Sequence, residues 1–486
     1  MSTSIRPTRS SVGLRSERGP ILLAVMVSLS LVAIDMTILA TAVPSVVKDL
    51  GGFEQFPWLF SIYVLATAVT TPLYAKVADR LGRKPVMIAG IVAFLVGSLL
   101  CGLAWSLTAL IVFRAIQGIG AGAIQPMAMT IVSDIYTLEE RAVATSYVAS
   151  VWATAAIVGP TLGGLFADYL DWRLIFLINL PIGAVALWLL RHFHEERRPA
   201  ATTAIDWSGA GLLTVGGIAL LLGLLEGGHA WAWASWPSYL IFAVGIAALV
   251  AFGFVERRAA DPVLPPWVLS HRVLAPANAA SLIVGVVMLG LTTYVPLYAQ
   301  SVLGHSALVA GFALAGMSIG WPIAAATAGR IYLSKGFRTA VALGALLVIV
   351  GGLVLVTVDE SSSIWHLAIP CFVLGLGFGW SVNPGVVAAG SAVDWEVRGV
   401  ATGSNMFARS VGSALGVALF GAVANGLVRR EYAGGEVPPL EALPADVLAP
   451  ALHVVFVVGL VVSLPLLVVA WRTPVRLTPR TVVTTE

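Results

Sequence analysis

The sequence predicts an all-α integral membrane protein in which two six-helix halves flank two extra central helices, giving fourteen transmembrane helices. The first observation is composition: the 486 residues are 58% hydrophobic and only 11% charged, whereas soluble domains carry about 25% charged residues. The second is a series of apolar runs of about 20 residues, the length needed to cross a bilayer. A repeat of two loop sequences supplies the division into halves.

Composition also excludes several classes of function. The net charge of +3 is too small to indicate nucleic-acid binding, and both cysteines fall inside apolar runs, which argues against a disulfide or metal framework. The sequence contains no phosphate-binding loop of the G-x-x-x-x-G-K-[ST] type and no H-E-x-x-H pattern. We therefore expect neither ATP-driven transport nor metalloenzyme activity, and no cofactor.

The apolar runs are read as helices because backbone groups in lipid must be hydrogen-bonded within their own segment. The first run is about 24 residues long and lacks a small-residue cleavage site, so it is predicted to remain in the protein rather than to act as a signal peptide. The predicted spans are 21–44, 57–76, 86–104, 107–133, 143–167, 173–191, 207–226, 237–255, 273–300, 307–329, 338–358, 364–390, 399–428 and 451–471.

The distribution of basic residues predicts the orientation. With the N-terminus in the cytoplasm, about 22 of the 28 Lys and Arg residues fall in cytoplasmic segments, which is the positive-inside pattern. The opposite orientation inverts this bias. We therefore expect a multi-pass protein of the cell membrane (the plasma membrane, or the inner membrane of a bacterium) with both termini in the cytoplasm.

Two cytoplasmic loop sequences recur along the chain. "SDIYTLEERAVATSYVAS" (133–150) resembles "SAVDWEVRGVATGSNMFA" (391–408), and "ADRLGRKPVMIAG" (78–90) resembles "AGRIYLSKGFRTAVALG" (328–344), at offsets of about 257 and 250 residues. Repeated halves are common in secondary transporters, whose substrate site lies at the interface between them. The predicted division is a tail at 1–20, a six-helix half at 21–192, a linker with two extra helices at 193–272, a second half at 273–471 and a tail at 472–486.

The first span carries a charge in its middle, Asp35 of "LVAIDMTILATAVP" (31–44). A carboxylate at the centre of a membrane helix costs about 2.5–3.5 kcal/mol on insertion scales. At 1.5 Å per residue, Asp35 lies roughly 13 Å and Arg114 of the fourth span roughly 11 Å below the outer helix ends. We therefore expect the two to pair, either as a structural ion pair or as a proton-coupling site in which the distance to Arg114 changes the proton affinity of the carboxylate.

The loop "YAKVADRLGRKPVM" (74–87) is a second candidate site. Asp79 lies at the C-terminal end of the second span, the unfavourable helix end for an anion, and so requires a partner such as Arg83 or the N-terminus of another helix. An ordinary positive-inside loop explains the basic residues but not Asp79 or the turn at Gly82. We predict a conformational latch formed by Asp79, Arg80, Gly82, Arg83 and Lys84.

This loop resembles the signature loop of the major facilitator superfamily, G-x-L-a-D-r-x-G-r-k, although Ala75 stands at its first glycine. The resemblance implies that the aspartate braces the outward-open state against the start of the helix at Arg398–Gly399. Likewise, "LIVFRAIQGIGAGAIQPM" (110–127) resembles the family's fourth-helix motif.

"ATAAIVGPTLGG" (153–164) resembles the family's fifth-helix antiporter motif at Gly159, Pro160, Gly163 and Gly164. Simple close packing of small residues also explains this stretch. Under that interpretation the protein could transport its substrate into the cell as well as out of it. Together with the segments 34–44, 171–183 and 294–311, the sequence resembles the fourteen-span drug:proton antiporter family. That resemblance implies export, and it matches Asp35 to the family's acidic residue in the first helix.

Polar and aromatic residues within the spans are candidates for substrate contact. Arg409, in the thirteenth span, is expected to bind an anionic group, to act electrostatically in place of a bound proton, or to snorkel towards an interface. The candidates are Tyr63, Gln117, Trp152, Asn179, Tyr294, Met317, Trp321, Trp380, Asn383, Phe407 and Arg409.

The predicted function is a proton-coupled secondary exporter of lipophilic or amphipathic small molecules, of the multidrug efflux type, that works by alternating access as a monomer. The alternative is export of a specific anionic lipid, siderophore or metabolite. A non-transporting sensor or a membrane enzyme is the alternative from another class. The predicted partners are the small-molecule substrate, protons and the lipid bilayer, and the energy source is the proton gradient.

Overall fold

The computed structural model describes most of the membrane-embedded chain. The distal parts of both predicted tails and the start of the predicted linker lie outside the described residues. The residues that the structure describes are 13–136, 138–191, 206–227, 230–259, 262, 264–393, 398–432, 438 and 443–476.

The N-terminal group of helices, α1 to α7, follows the first six predicted spans. Several helices extend beyond the predicted boundaries because helical hydrogen bonding continues past the apolar stretch, and the sixth span is interrupted near Pro181, which cannot donate a backbone hydrogen bond. The helices are α1 Gly19–Leu50, α2 Trp58–Leu81, α3 Arg83–Gly102, α4 Leu107–Ile135, α5 Leu138–Tyr169, α6 Leu174–Leu177 and α7 Asn179–Arg191, with a 3₁₀ turn at Phe53–Gln55 before α2.

The two extra central spans form α8 and α9, and the C-terminal group, α11 to α17, follows the last six predicted spans. The last predicted span is divided at Pro465 into two helices. The helices are α8 Trp207–Glu226, α9 Trp236–Glu256, α10 Trp267–Ser270, α11 Leu274–Ser301, α12 Ala307–Lys335, α13 Phe337–Leu355, α14 Ile364–Ser391, α15 Arg398–Glu431, α16 Ala445–Ser463 and α17 Pro465–Arg472.

One turn geometry occurs at equivalent places in the two groups. Gly82 alone joins α2 to α3 with φ +95°, and Gly336 alone joins α12 to α13 with φ +92°. This backbone conformation is available to glycine at little cost and strains other residues. The two loops form one of the two pairs of the predicted repeat, and they share this backbone geometry as well as their sequence.

Helix packing also repeats along the chain. In the N-terminal group α1 packs on α5 and α7, and α4 packs on α2 and α3; in the C-terminal group α11 packs on α15 and α16, and α14 packs on α12 and α13. The two groups meet where α5 packs on α12 and where α2 packs on α15. The buried core runs continuously through both groups.

The extra helices pack as a pair beside one junction between the groups. α8 packs on α9, on α2 and on α15, so it lies along the junction of α2 with α15. Near the start of α2, the indole Nε1 of Trp58 donates a hydrogen bond to the Glu226 carboxylate at 3.0 Å, which ties α2 to the end of α8.

Within the described residues, 13 helices are long and apolar enough to cross a membrane. The predicted second span lies in α2, a 24-residue helix that is not among these 13. An all-helical, multi-pass membrane fold is therefore confirmed, while the count of fourteen spans remains a prediction.

Candidate functional site

The two buried charges in the N-terminal group form a direct pair. Arg114 Nη1 of α4 donates to Asp35 Oδ2 of α1 at 2.6 Å, and each side chain is only 1% exposed. The pairing expected from similar depth along the two helices is confirmed. Removing one partner of such a pair leaves an uncompensated buried charge, so each residue stabilises the other in its buried position.

Three amide and hydroxyl groups complete a network around the carboxylate. The Gln117 side-chain amide donates to Asp35 Oδ1 at 2.7 Å, and that of Asn179 donates to the same oxygen at 3.3 Å. Both amides also donate to the Ser98 hydroxyl, at 2.7 and 3.1 Å. Donors from α4 and α7 therefore hold an acceptor on α1, and a hydroxyl from α3 braces the two amides.

Arg114 is itself held from several sides. Its Nε donates to the Leu59 carbonyl at 3.1 Å, its Nη1 also donates to Gln117 Oε1 at 2.6 Å, and its guanidinium lies 4.0 Å from the centre of the Tyr63 ring. The Tyr63 hydroxyl is buried and has no hydrogen-bond partner within the described part of the chain. A cation over an aromatic face is favourable, so α2 contributes to holding the pair in place.

The Asp35 carboxylate accepts hydrogen bonds from donors on other helices, namely Arg114 and Gln117 on α4 and Asn179 on α7. Hydrogen bonds to a charged group are stronger than those between neutral groups, so the network holds α1 against α4 and α7. A shift of α1 relative to α4 would lengthen or break these bonds.

The predicted antiporter motif packs against the same stretch of α1. A Cβ added at Gly159 would collide with the Thr37 hydroxyl, and one at Gly163 would collide with the Ile38 carbonyl. The Thr37 hydroxyl donates to the Ala155 carbonyl of α5 at 3.0 Å. The glycines therefore allow α5 to approach the stretch of α1 that follows Asp35.

The same motif also contacts the other group of helices. A Cβ at Gly164 would lie 2.6 Å from the backbone nitrogen and Cα of Leu308, and one at Gly311 would lie 2.9 Å from the Pro160 carbonyl oxygen. The Asp168 carboxylate accepts from the backbone amides of Ala307 and Leu308 at 3.2 and 3.1 Å. A carboxylate at the N-terminus of α12 is well placed for the helix dipole, so it stabilises this contact between the groups.

A further contact between the groups lies at the start of α2. Glu54 forms a two-bond ion pair with Arg429 of α15, and the Glu54 carbonyl accepts from the Asn425 amide at 2.7 Å. On α11, the Gln300 amide donates to the Thr41 carbonyl at 3.3 Å. These contacts lie towards the end of the bundle where α1 ends and α2 begins, the predicted outer end, and they join the two groups there.

The predicted latch loop is described only in part. The side chains of Asp79, Arg80 and Arg398 lie outside the described residues, so the expected brace stays a prediction. Arg83 Nε lies 3.3 Å from the Asp134 carboxylate of α4, and Lys84 Nζ donates to the Arg191 carbonyl at 3.1 Å. Arg83, predicted as one of two partners for Asp79, thus has an ion-pair partner on α4.

The substrate candidates fall in four places. Tyr63, Gln117 and Asn179 belong to the Asp35 network, and the Tyr294 ring packs 5.6 Å from the Phe56 ring near the predicted outer end. Trp152 is partly buried on α5. The rest lie on α12, α14 and α15 of the C-terminal group: Met317, Trp321, Trp380, Asn383, Phe407 and Arg409.

Several members of the site were not identified from the sequence. Ser98 is a lone hydroxyl in an apolar helix, with no sequence signal to orient it. Glu54 and Asp168 stand at helix ends and look like ordinary loop charges. Gln117 was a candidate for substrate contact. Its place in the network could have been predicted, because it lies three residues after Arg114 and so shares the same helix face.

The helical fold and a buried charge pair between its first and fourth spans define a membrane transporter, and comparison with known proteins identifies its family. The sequence profile of the Major Facilitator Superfamily matches residues 25–210 and 208–417. The chain therefore belongs to this superfamily, whose members are transporters rather than enzymes.

Individual relatives agree with this assignment. The chain is 33% identical over 437 residues to the multidrug transporter protein MdtP of Bacillus subtilis, covering 90% of this chain and 81% of that protein. It is 34% identical over 406 residues to multidrug resistance protein 3 of the same organism, covering 83% and 79%. Among solved structures, an inward-facing bacterial homologue of the human lysosomal transporter Spinster matches with a TM-score of 0.67 over 95% of this chain and 99% of that chain, at 17% identity.

Proposed function

We propose that the protein is a proton-coupled exporter of lipophilic and amphipathic small molecules that works by alternating access, with fourteen spans as in the drug:proton antiporters. The observation that carries the proposal is the buried pair of Asp35 and Arg114 with its network of amide donors. The names of the two Bacillus subtilis relatives, a multidrug transporter and a multidrug resistance protein, support the substrate class.

Asp35 is the proton carrier in this proposal. In the N-terminal group, it is the carboxylate buried furthest from a helix end, and intramembrane carboxylates commonly form proton relays. A protonated Asp35 no longer pairs with Arg114, so α1 and α4 are free to shift relative to each other. Protonation is thereby coupled to helix position.

The antiporter motif then carries this shift to the outer end. α1 holds Asp35 and, a few residues later, the surface on which Gly159 and Gly163 pack. α5 in turn packs through Gly164 on the start of α12, where Asp168 also binds. A movement of α1 therefore acts on the contact that closes the outer end. In this proposal, closure of the outer end leaves the substrate site open to the cytoplasm, the side from which an exporter loads.

The proton gradient is sufficient as an energy source. One proton moving down about 100 mV and about one pH unit supplies roughly 2.3 and 1.4 kcal/mol, which sustains a concentration ratio of a few hundred for a neutral substrate exchanged one for one. We further propose that the protein is a monomer in the cell membrane with both termini in the cytoplasm, in accordance with the distribution of Lys and Arg.

Reconstituted protein tests the function directly. Wild-type protein in sealed vesicles should move a neutral lipophilic fluorophore, such as N-phenyl-1-naphthylamine, against its gradient when a pH gradient is imposed. A protonophore should abolish this movement, and each burst of transport should be accompanied by proton movement in the opposite direction. Accumulation that persists in the presence of the protonophore, or no transport of any lipophilic probe, would contradict the proposal.

A further inference from the structure

The second buried arginine, Arg409, has no counterpart to the pairing seen at Arg114. It lies eleven residues into α15, about 16 Å along the helix from its start. Its backbone carbonyl is packed so closely on α11 that a Cβ at Gly285 would collide with it. The side chain lies deep in the bundle but keeps part of its surface accessible.

Among the residues that the structure describes, Arg409 has no counter-ion. It makes no hydrogen bond or ion pair with any residue that the structure describes. The sequence itself has no Asp or Glu in 262–358, 361–393, 397–430 or 447–485. The carboxylates on the helices of the C-terminal group, Glu431 and Asp446, therefore lie at helix ends and not in mid-span. The buried carboxylate of the N-terminal group, Asp35, is already bound to Arg114.

An unpaired cation at this depth is expensive unless water or a mobile anion meets it. A second unused donor lies on the neighbouring helix α14: the side-chain nitrogen of Asn383 is buried and has no hydrogen-bond partner among the described residues. Asn383 lies about 12 Å from the end of α14 at which α15 begins, a depth similar to that of Arg409. Neither donor has an acceptor supplied by the described chain.

We propose that Arg409 and Asn383 form the binding site for the anionic group, a carboxylate or sulfonate, of an amphipathic substrate. This inference rests on the proposed function and narrows its substrate class. Amphipathic monoanions are favoured, neutral lipophiles are tolerated, and permanent cations are disfavoured because Arg409 repels them. Arg409 is then a specificity-determining residue rather than part of the proton site.

The proposal has an electrical consequence. If one proton enters for each monoanion exported, two charges cross the membrane per cycle, whereas a neutral substrate carries only the charge of the proton. The membrane potential therefore acts on two charges rather than one. Export of an anion should respond twice as steeply to membrane potential as export of a neutral compound.

Two fluorophores that differ by one sulfonate test the binding site. The probes are 8-anilinonaphthalene-1-sulfonate and neutral N-phenyl-1-naphthylamine, and their binding is measured on purified protein in zwitterionic lipid without any gradient. Arg409→Gln should weaken binding of the sulfonate by about tenfold or more, because a hydrogen bond to a charged group is lost, and should leave the neutral probe within about twofold. Arg409→Lys should retain most of the affinity for the sulfonate.

Arg430→Gln is the matched control, since it removes the same charge from an exposed position on the same helix. It should change neither affinity. Equal losses for both probes in Arg409→Gln, or no loss for either, would overturn the proposal. So would competition by anionic phospholipid for the sulfonate site, because the ligand would then be a lipid headgroup. Failure of the proposed function is a separate result, in which wild-type protein binds the probes but moves neither under a pH gradient.

Discussion

The Gln117 amide donates to one carboxylate oxygen of Asp35 at 2.7 Å, while its own carbonyl oxygen accepts from Arg114 at 2.6 Å. Arg114 donates to the other carboxylate oxygen. Gln117 thus fixes the separation and orientation of the two charges. The ion pair is part of a closed hydrogen-bonded ring, and such rings are expected to resist partial disruption.

Because Asp35 and Arg114 belong to one ring, we predict that substitutions of the two residues have non-additive effects on the free energy of unfolding. Arg114→Met should destabilise the protein by about 3–5 kcal/mol, because it leaves Asp35 charged and buried. Asp35→Asn should destabilise the protein less than Arg114→Met does, since Arg114 keeps the Leu59 carbonyl, Gln117 and the Tyr63 ring as partners. The double variant should be more stable than the sum of the single effects predicts. Thermal unfolding in detergent measures all three, and strictly additive effects would show that the pair is not coupled.

Gly164 is predicted to be essential for closing the outer end. In Gly164→Ala the new Cβ would lie 2.6 Å from backbone atoms of Leu308, which cannot move aside as a side chain could. Gly426→Ala is the control, because nothing lies within 4 Å of its added Cβ.

Spin labels on Asp171→Cys and Ser363→Cys, both at exposed outer positions, should report longer distances in Gly164→Ala and unchanged distances in Gly426→Ala. Both native cysteines are buried and so do not interfere with labelling. Unchanged distances in both variants would remove Gly164 from the closing contact.

The ion pair between Glu54 and Arg429 is predicted to set the balance between closed and open states. Glu54→Gln should increase the open population, and exchange of the two charges in Glu54→Arg with Arg429→Glu should restore part of the closure. Arg173→Gln is the control, because Arg173 pairs with Asp49 at 2.8 Å within the N-terminal group alone. The same spin-label distances measure the effect. If Arg173→Gln opened the protein as much as Glu54→Gln did, the outer charges would act in general rather than through the contact between the groups.

Asp79→Asn is predicted to impair transport while leaving membrane insertion intact. The charge lies at a helix C-terminus, where it is unfavourable for the helix and so is expected to stabilise one conformer rather than the fold. Transport rate and membrane abundance should be measured together, with exposed Asp359→Asn as the control. Normal transport at normal abundance would exclude the latch.

The sequence was sufficient for the helices and for the charge pair. Apolar length predicts the spans, and equal depth along two helices was enough to pair Asp35 with Arg114. The hydrogen bonds that Asn179 donates and Ser98 accepts were beyond prediction, because they depend on how α3 and α7 are rotated about their axes. Those rotations follow from packing across the whole group and not from local pattern. For the same reason, Glu54 and Asp168 could be recognised as contacts between the groups only in the folded chain.

The proposal that Asp35 carries the coupled proton is tested most directly by measuring proton and substrate flux together on reconstituted Asp35→Asn protein, after its abundance and stability have been checked. Asparagine holds the site in a neutral state resembling the protonated one, so it cannot load and release a proton. We predict that proton movement and gradient-driven transport both disappear, while exchange of bound for unbound substrate continues. Gradient-driven transport at the wild-type rate in a folded Asp35→Asn protein would contradict the account.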